Sequence, residues 1–217
     1  MRLPPRSAHF RHRVRCGGYV ERRLRRAKYT ELADSVAAAT NDVLVYGRGL
    51  EDHETAVQCA LADRDGADDD LDDTAQDARA ALAGRGADAV KKAPYKLIFP
   101  QGIGYYTAAT LTEETKRYGE LKDRLEEHLP GADEVRVKAV PAIEAGIVAF
   151  TAGSEQLGKA RTNEALARTR LDAAEEAWER LLTKVYGLLI ADLGRAAAER
   201  FFPKYKVRKD EDDDPTG

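Results

Sequence analysis

The four histidines, His9, His12, His53 and His128, are the first place to look for acid–base or metal chemistry. A di-iron carboxylate centre needs Glu-x-x-His on two helices, so that both side chains face one inner site. The residues three before His53 and His128 are Leu50 and Leu125, so neither helix carries that motif. His53-Glu54 opens like a zinc-protease motif, but Val57 stands where the second histidine belongs. His9 and His12 have no second ligand pair. His53 therefore reads as a satisfied or solvated helix residue. Four histidines also offer few bases for a Ser-His-Asp arrangement. Cys16 and Cys59 have no CxxC spacing and cannot build a disulfide framework or a zinc cluster. Cys59 reads as an inert helix residue, and a reducing cytoplasm is the expected setting.

Two further patterns fall short of a site. Residues 63–73 are rich in aspartate, but a calcium loop wants glycine sixth and glutamate twelfth. Gly66 is fourth from Asp63. The run reads as a solvated helix face, with weak cation or basic-partner binding as the other reading. Gly47-Arg48-Gly49 and Gly102-Ile103-Gly104 lack the preceding strand and third glycine of a nucleotide loop. The expectation is no enzyme, no metal and no cofactor.

Charge is unevenly spread. Residues 1–28 hold nine arginines and one lysine against Glu21, a charge of +9. The whole chain carries −3, so the rest carries −12. Like-charge blocks tend to stay solvated, so residues 1–28 are expected to be a disordered basic arm and 203–217 a charged tail. The arm has three readings. Arg11, Arg13, Arg15, Arg22, Arg23, Arg25 and Arg26 could bind nucleic acid, with His9, Phe10, His12 and Tyr19 stacking on bases. The arm could fold back on the acidic run. It could also be an unselected extension from a start codon set too far upstream.

The most aromatic stretch, Pro94–Ala109, holds two prolines and two glycines, so no long helix runs through it. Tyr95, Phe99, Ile103, Tyr105 and Tyr106 are candidate partner-binding residues, because aromatic side chains anchor interfaces. The competing reading is that they plug the end of the helices. The Phe99-Pro100-Gln101-Gly102 loop between a long helix and a short one resembles a pattern in uncharacterised all-helical bacterial proteins. That resemblance implies a helical hairpin and brings no activity with it.

The elements that must position these residues are helices. Charged residues make up 34% of the 217 and aromatics 7%, a composition typical of long helices. From Tyr29 a seam runs through Val36, Val43, Leu50, Val57, Arg64 and Leu71, with a partner row at Leu32, Ala39, Tyr46, His53, Ala60 and Ala67. A second seam runs through Ile143, Ile147, Phe150, Ser154, Leu157, Arg161, Glu164, Arg168, Leu171, Glu175, Trp178, Leu182, Val185, Leu189, Asp192 and Ala196. The spacing predicts one helical domain over 29–202. It holds a long helix at 29–86, a connector at 94–109, a short helix at 111–129 and a long helix at 142–200. Thr110 or Thr112 is the expected cap of the short helix. Pro141 is the expected first-turn residue of the second long helix, with a short strand or helix at 135–140 before it. The fold class is all-α: a long antiparallel coiled-coil-like hairpin with a third short helix. Matching the seams pairs residues whose numbers sum to about 228, so that Leu50 faces Trp178, His53 faces Glu175 and Arg64 faces Glu164. No apolar stretch approaches the ~20 residues of a membrane span. The expected function is a non-catalytic structural or protein–protein interaction protein, self-assembling most simply as a dimer or binding another protein. The alternative is nucleic-acid association through the arginine-rich arm.

Overall fold

The computed structural model describes residue 1 and residues 3–204; the tail from 205 onward, expected to be disordered, lies outside the described residues. The protein is all-α, and no strand occurs among the described residues. Two long helices, α2 (Thr30–Ala83) and α6 (Glu134–Leu193), pack against each other antiparallel as a helical hairpin. The shorter helices are α1 (Phe10–Arg26), α3 (Tyr95–Ile98), α4 (Gly104–Thr107), α5 (Glu114–His128) and α7 (Arg195–Ala198). Where one domain was expected over 29–202, contacts group the chain into two compact units. One comprises residues 1–53 with 164–204, the other residues 54–163.

In the first unit, residues 10–26 of the expected disordered arm are the helix α1, which corrects that expectation. Its sequence has an apolar stripe at Phe10, Cys16, Val20 and Leu24, and all four are buried. They join Val36, Val43, Trp178, Leu182 and Val185 in one core. Burial of that stripe outweighs the self-repulsion of the arginines, which the helix turns to its other face. Two glycines let the backbones close. A Cβ at Gly47 would meet the Phe10 ring at 2.4 Å, and one at Gly17 would meet Thr40 Oγ1 at 2.0 Å. Thr40 is thereby free to accept from the indole N–H of Trp178. His9 caps α1, its Nδ1 accepting from the backbone N–H of Arg11 at 3.3 Å.

In the second unit, α5 lies on α2 and α6 through Tyr118, Leu121 and Leu125, all fully buried. The helix starts at Glu114 with Glu113 as its cap residue, so neither Thr110 nor Thr112 caps it. α6 starts at Glu134, eight residues before the expected start at 142. Asp133 Oδ1 accepts the Val135 N–H at 3.0 Å and starts the helix there, so residues 135–140 are helical and Pro141 is interior.

The inter-helix register is a second correction. Thr40 meets Trp178, and Gly153 sits against the Arg64 backbone, its Cβ position 3.0 Å from the Arg64 Cα. Paired numbers sum to 217 or 218 rather than 228. Gly153 rather than Glu164 lies beside Arg64, and the expected Arg64–Glu164 pair does not form. Each finds a partner on its own helix, Arg64 with Asp65 and Glu164 with Arg168. A slide of ten or eleven residues is close to three whole turns, so it leaves apolar rows facing. In the first unit the second row on α2 also lies one residue further on than expected, at Ala33, Thr40 and Gly47, while Ala60 and Ala67 of the expected row are buried in the second unit. Tyr46 is 41% exposed. α1 covers the row through 40 and 47, and that coverage selects it.

Candidate functional site

A concavity lies in the second unit, between α2 and α6. Its volume is about 790 Å³. Ala78, Ala139, Ala142, Ala145, Gly146 and Ala149 floor it, and Asp70, Asp73, Asp77 and Glu134 stand on its rim with Lys138. Lys138 is held by Asp77 at 2.8 Å, so the rim is net acidic. Asp68 and Asp72 meet α5 from the opposite side of α2, about half a helical turn round from Asp70. The groove therefore opens on the face of the helix pair away from α5. Small side chains at the helical repeat leave the groove shallow and open, and the rim carboxylates give it a negative edge. The alanines at 142, 145 and 149 carry the sequence signal for this groove, but alanine is only weakly apolar, so the row does not stand out as a seam.

Across α2 lies a carboxyl cluster. Glu114 is 3% exposed, and its Oε1 is buried with no donor reaching it. Its carboxyl is hydrogen-bonded to that of Asp68, and Tyr118 donates its hydroxyl to Asp72. Burial and the facing Asp68 push the Glu114 carboxyl up to about 8. Burial raises Asp72 as well, against the pull of the Tyr118 hydroxyl. Part of the aspartate run is thus a packed surface rather than wholly a solvated face. The signal was present: Glu114 continues the stripe of Tyr118, Leu121 and Leu125 at helical spacing.

The α1 arginines separate by face. Arg13 is 1% exposed and lies against Glu175 and Glu179, 3.2 Å from each. It also donates to the Ala8 carbonyl at 2.9 Å. It is therefore a core ion-pair residue and is removed from the expected nucleic-acid set. Arg11 pairs with Glu51, and Arg25 with Glu21 and Asp34. Arg15, Arg22 and Arg26 are exposed and Arg23 half-buried, with no ion pair among the described residues. Arg11, Arg15, Arg22 and Arg26 fall within about 60° of the helix circumference, with Tyr19, 43% exposed, beside them.

The connector aromatics are gathered into the second unit's core. Phe99 and Tyr106 are buried, and their rings meet edge to face at 5.7 Å. The Tyr106 hydroxyl donates to the Ile98 carbonyl at 2.8 Å and accepts from Arg124 at 2.7 Å. Tyr95, Ile103 and Tyr105 are half-buried around them, and Tyr105 donates to Glu120 at 2.8 Å. Gly102 adopts φ +79°, a left-handed conformation that suits glycine and lets the Phe99–Gly102 turn close. Phe99 and Tyr106 serve as a plug, which leaves the half-buried three as the surface part of the expected partner patch.

His53 and His128 are on separate helices, and Cys16 is buried while Cys59 is exposed. Among the described residues no group of three or more His, Cys, Asp or Glu side chains is placed to hold a metal ion, and no helix is long and apolar enough to cross a membrane. Comparison with protein-family profiles, curated proteins and solved structures finds no match to this chain.

Proposed function

We propose that the chain is a non-catalytic helical protein of the cytoplasm that works by self-association, with the acidic groove of the second unit receiving the outer face of α1 from another copy. The observation that carries this reading is the groove itself: alanine-floored, about 790 Å³, and rimmed by Asp70, Asp73, Asp77 and Glu134. The complement is present in the same chain. The 17 residues of α1 span about 25 Å, and residues 134–149 along the groove span about 23 Å. Gly18 and Tyr19 lie between Arg15 and Arg22 on that outer face, so a small central contact is flanked by cations. A groove-to-groove dimer would instead set acid against acid. A contact between two different surfaces is heterologous, and it closes as a ring or extends as a filament.

Absolute mass by light scattering, at low and high salt, tests this. The expected result is a mass above 23.9 kDa at low salt that falls toward 23.9 kDa as salt rises. The double variant R22E/R26E should be monomeric, and adding D70K/D73K to it should restore assembly. A wild-type monomer at every salt concentration would overturn the reading.

A second reading uses the same face. Arg15, Arg22 and Arg26 without ion pairs, beside exposed Tyr19, suit a nucleic-acid backbone. Salt-dependent retention of DNA or RNA by the wild type, abolished in R22E/R26E, would favour it over self-association.

A further inference from the structure

Glu114 opens α5 in a position hostile to a negative charge. It is 3% exposed, and no donor reaches its Oε1. From α2, Asp68 and Asp72 face it, with Asp69 and Asp73 beside Asp72. From α5 itself come Tyr118, whose hydroxyl is committed to Asp72, and Arg117. The Arg117 cation acts on the carboxyl, but its guanidinium is engaged elsewhere, by Glu113 and by the Tyr105 carbonyl. An ionised Glu114 would therefore be desolvated, short of donors and opposed by two carboxylates. A protonated Glu114 reverses all three effects at once, because it donates to Asp68.

We propose that the Glu114–Asp68 contact is a proton-operated latch: protonated, it holds the first turns of α5 on α2, and loss of the proton releases them. The latch is one residue deep in the helix, at a terminus whose opening disturbs only local structure. Release uncovers Tyr118 and the adjoining Tyr106 ring, 6.4 Å away between centroids. The upward push on Glu114, to about 8, sets the operating range in mildly alkaline solution. The latch lies on the face of α2 away from the groove, so it stands or falls separately from the self-association reading.

Hydrogen exchange of the full chain, followed by mass spectrometry at pH 6, 7.5 and 9, tests the latch. Each rate is corrected for intrinsic exchange. Protection across residues 114–121 should fall about tenfold from pH 6 to 9 in the wild type and stay level in Glu114→Gln, whose amide donates to Asp68 at every pH. Residues 36–50 serve as the internal reference and should not change. Equal loss in wild type and variant would overturn the proposal. If the variant does not fold, a carboxyl-carbon NMR titration of Glu114 in the wild type decides. A midpoint above pH 7 supports the latch, and one below pH 7 refutes it.

Discussion

The indole Nε1 of Trp178 donates to Oγ1 of Thr40 at 3.0 Å, between two buried side chains on opposing long helices. Trp178 is fully buried, so its N–H has no other outlet. Thr40→Val keeps the shape and removes the acceptor, which leaves a buried donor unpaired. The expected cost is about 2 kcal/mol. Thr40→Ser retains the oxygen and should cost under about 1 kcal/mol, the loss of a methyl. Urea unfolding followed by Trp178 fluorescence, the single tryptophan of the chain, gives both values. Equal midpoints for the two variants would show that the hydrogen bond carries no stability.

Arg13 makes a parallel prediction at the first unit's other buried polar contact. Its guanidinium faces Glu175 and Glu179, and burial already pushes the Glu175 carboxyl upward against the pull of Arg13. Arg13→Ala leaves two half-buried carboxylates without their cation. Breaking a buried pair from one side costs about 3–5 kcal/mol, so α1 should detach or the unit should unfold. Arg22→Ala, on the outer face of the same helix, should change stability by under about 0.5 kcal/mol. The comparison separates core arginines from surface ones in a segment where composition treats all nine alike.

That segment shows what was legible and what was not. The hairpin, the third helix and the apolar seam of α6 follow from spacing, because burial of one face imposes a helical period that any reader can count. Ile143, Phe150, Leu157, Leu171 and Trp178 are buried as that spacing requires. The fate of α1 was hidden because net charge averages over faces: Phe10, Val20 and Leu24 carry the packing while Arg15, Arg22 and Arg26 carry the charge. The register was hidden for a different reason. A shift of ten or eleven residues restores the same face, so apolar rows alone do not choose among such slides. The choice rests on Gly153 admitting the Arg64 backbone and on Trp178 reaching Thr40, contacts of single atoms that no periodicity encodes. Of the candidate site, the connector aromatics were visible as a cluster, but only packing assigns Phe99 and Tyr106 to the interior.

Tyr106 tests that assignment. Its hydroxyl sits between the Ile98 carbonyl and Arg124, and the ring is fully buried. Tyr106→Phe should lower stability by about 1–2 kcal/mol through the orphaned carbonyl and guanidinium. Tyr106→Ala should cost more, about 3–5 kcal/mol, through the cavity. Lys96→Ala, at an exposed position of the neighbouring α3, should be close to neutral. Chemical denaturation followed by far-ultraviolet circular dichroism measures all three. Unchanged stability in both Tyr106 variants would return this residue to the surface-contact role.

Glu114 gives stability an unusual pH dependence. Its native carboxyl is raised to about 8, while in the unfolded chain it returns to its ordinary value of 4.5. Below 4.5 both states hold the proton and the native contact contributes in full. Between 4.5 and about 8 the unfolded chain has lost the proton and the native state keeps it. Unfolding then releases a proton, and stability falls as pH rises, by at most about 1.4 kcal/mol per unit. Above 8 both states are ionised and the loss is complete. Asp133 works in the opposite sense and in another window. Arg85 holds it below its ordinary 3.8, so its contribution is present above that value and disappears on acidification. Denaturant midpoints from pH 5 to 9 should therefore decline in the wild type and stay flatter in Glu114→Gln. The two curves should meet near pH 5, with the variant the more stable at pH 8. Parallel curves across that range would mean that Glu114 is ionised in the native state, and that α5 tolerates the charge beside Asp68 and Asp72.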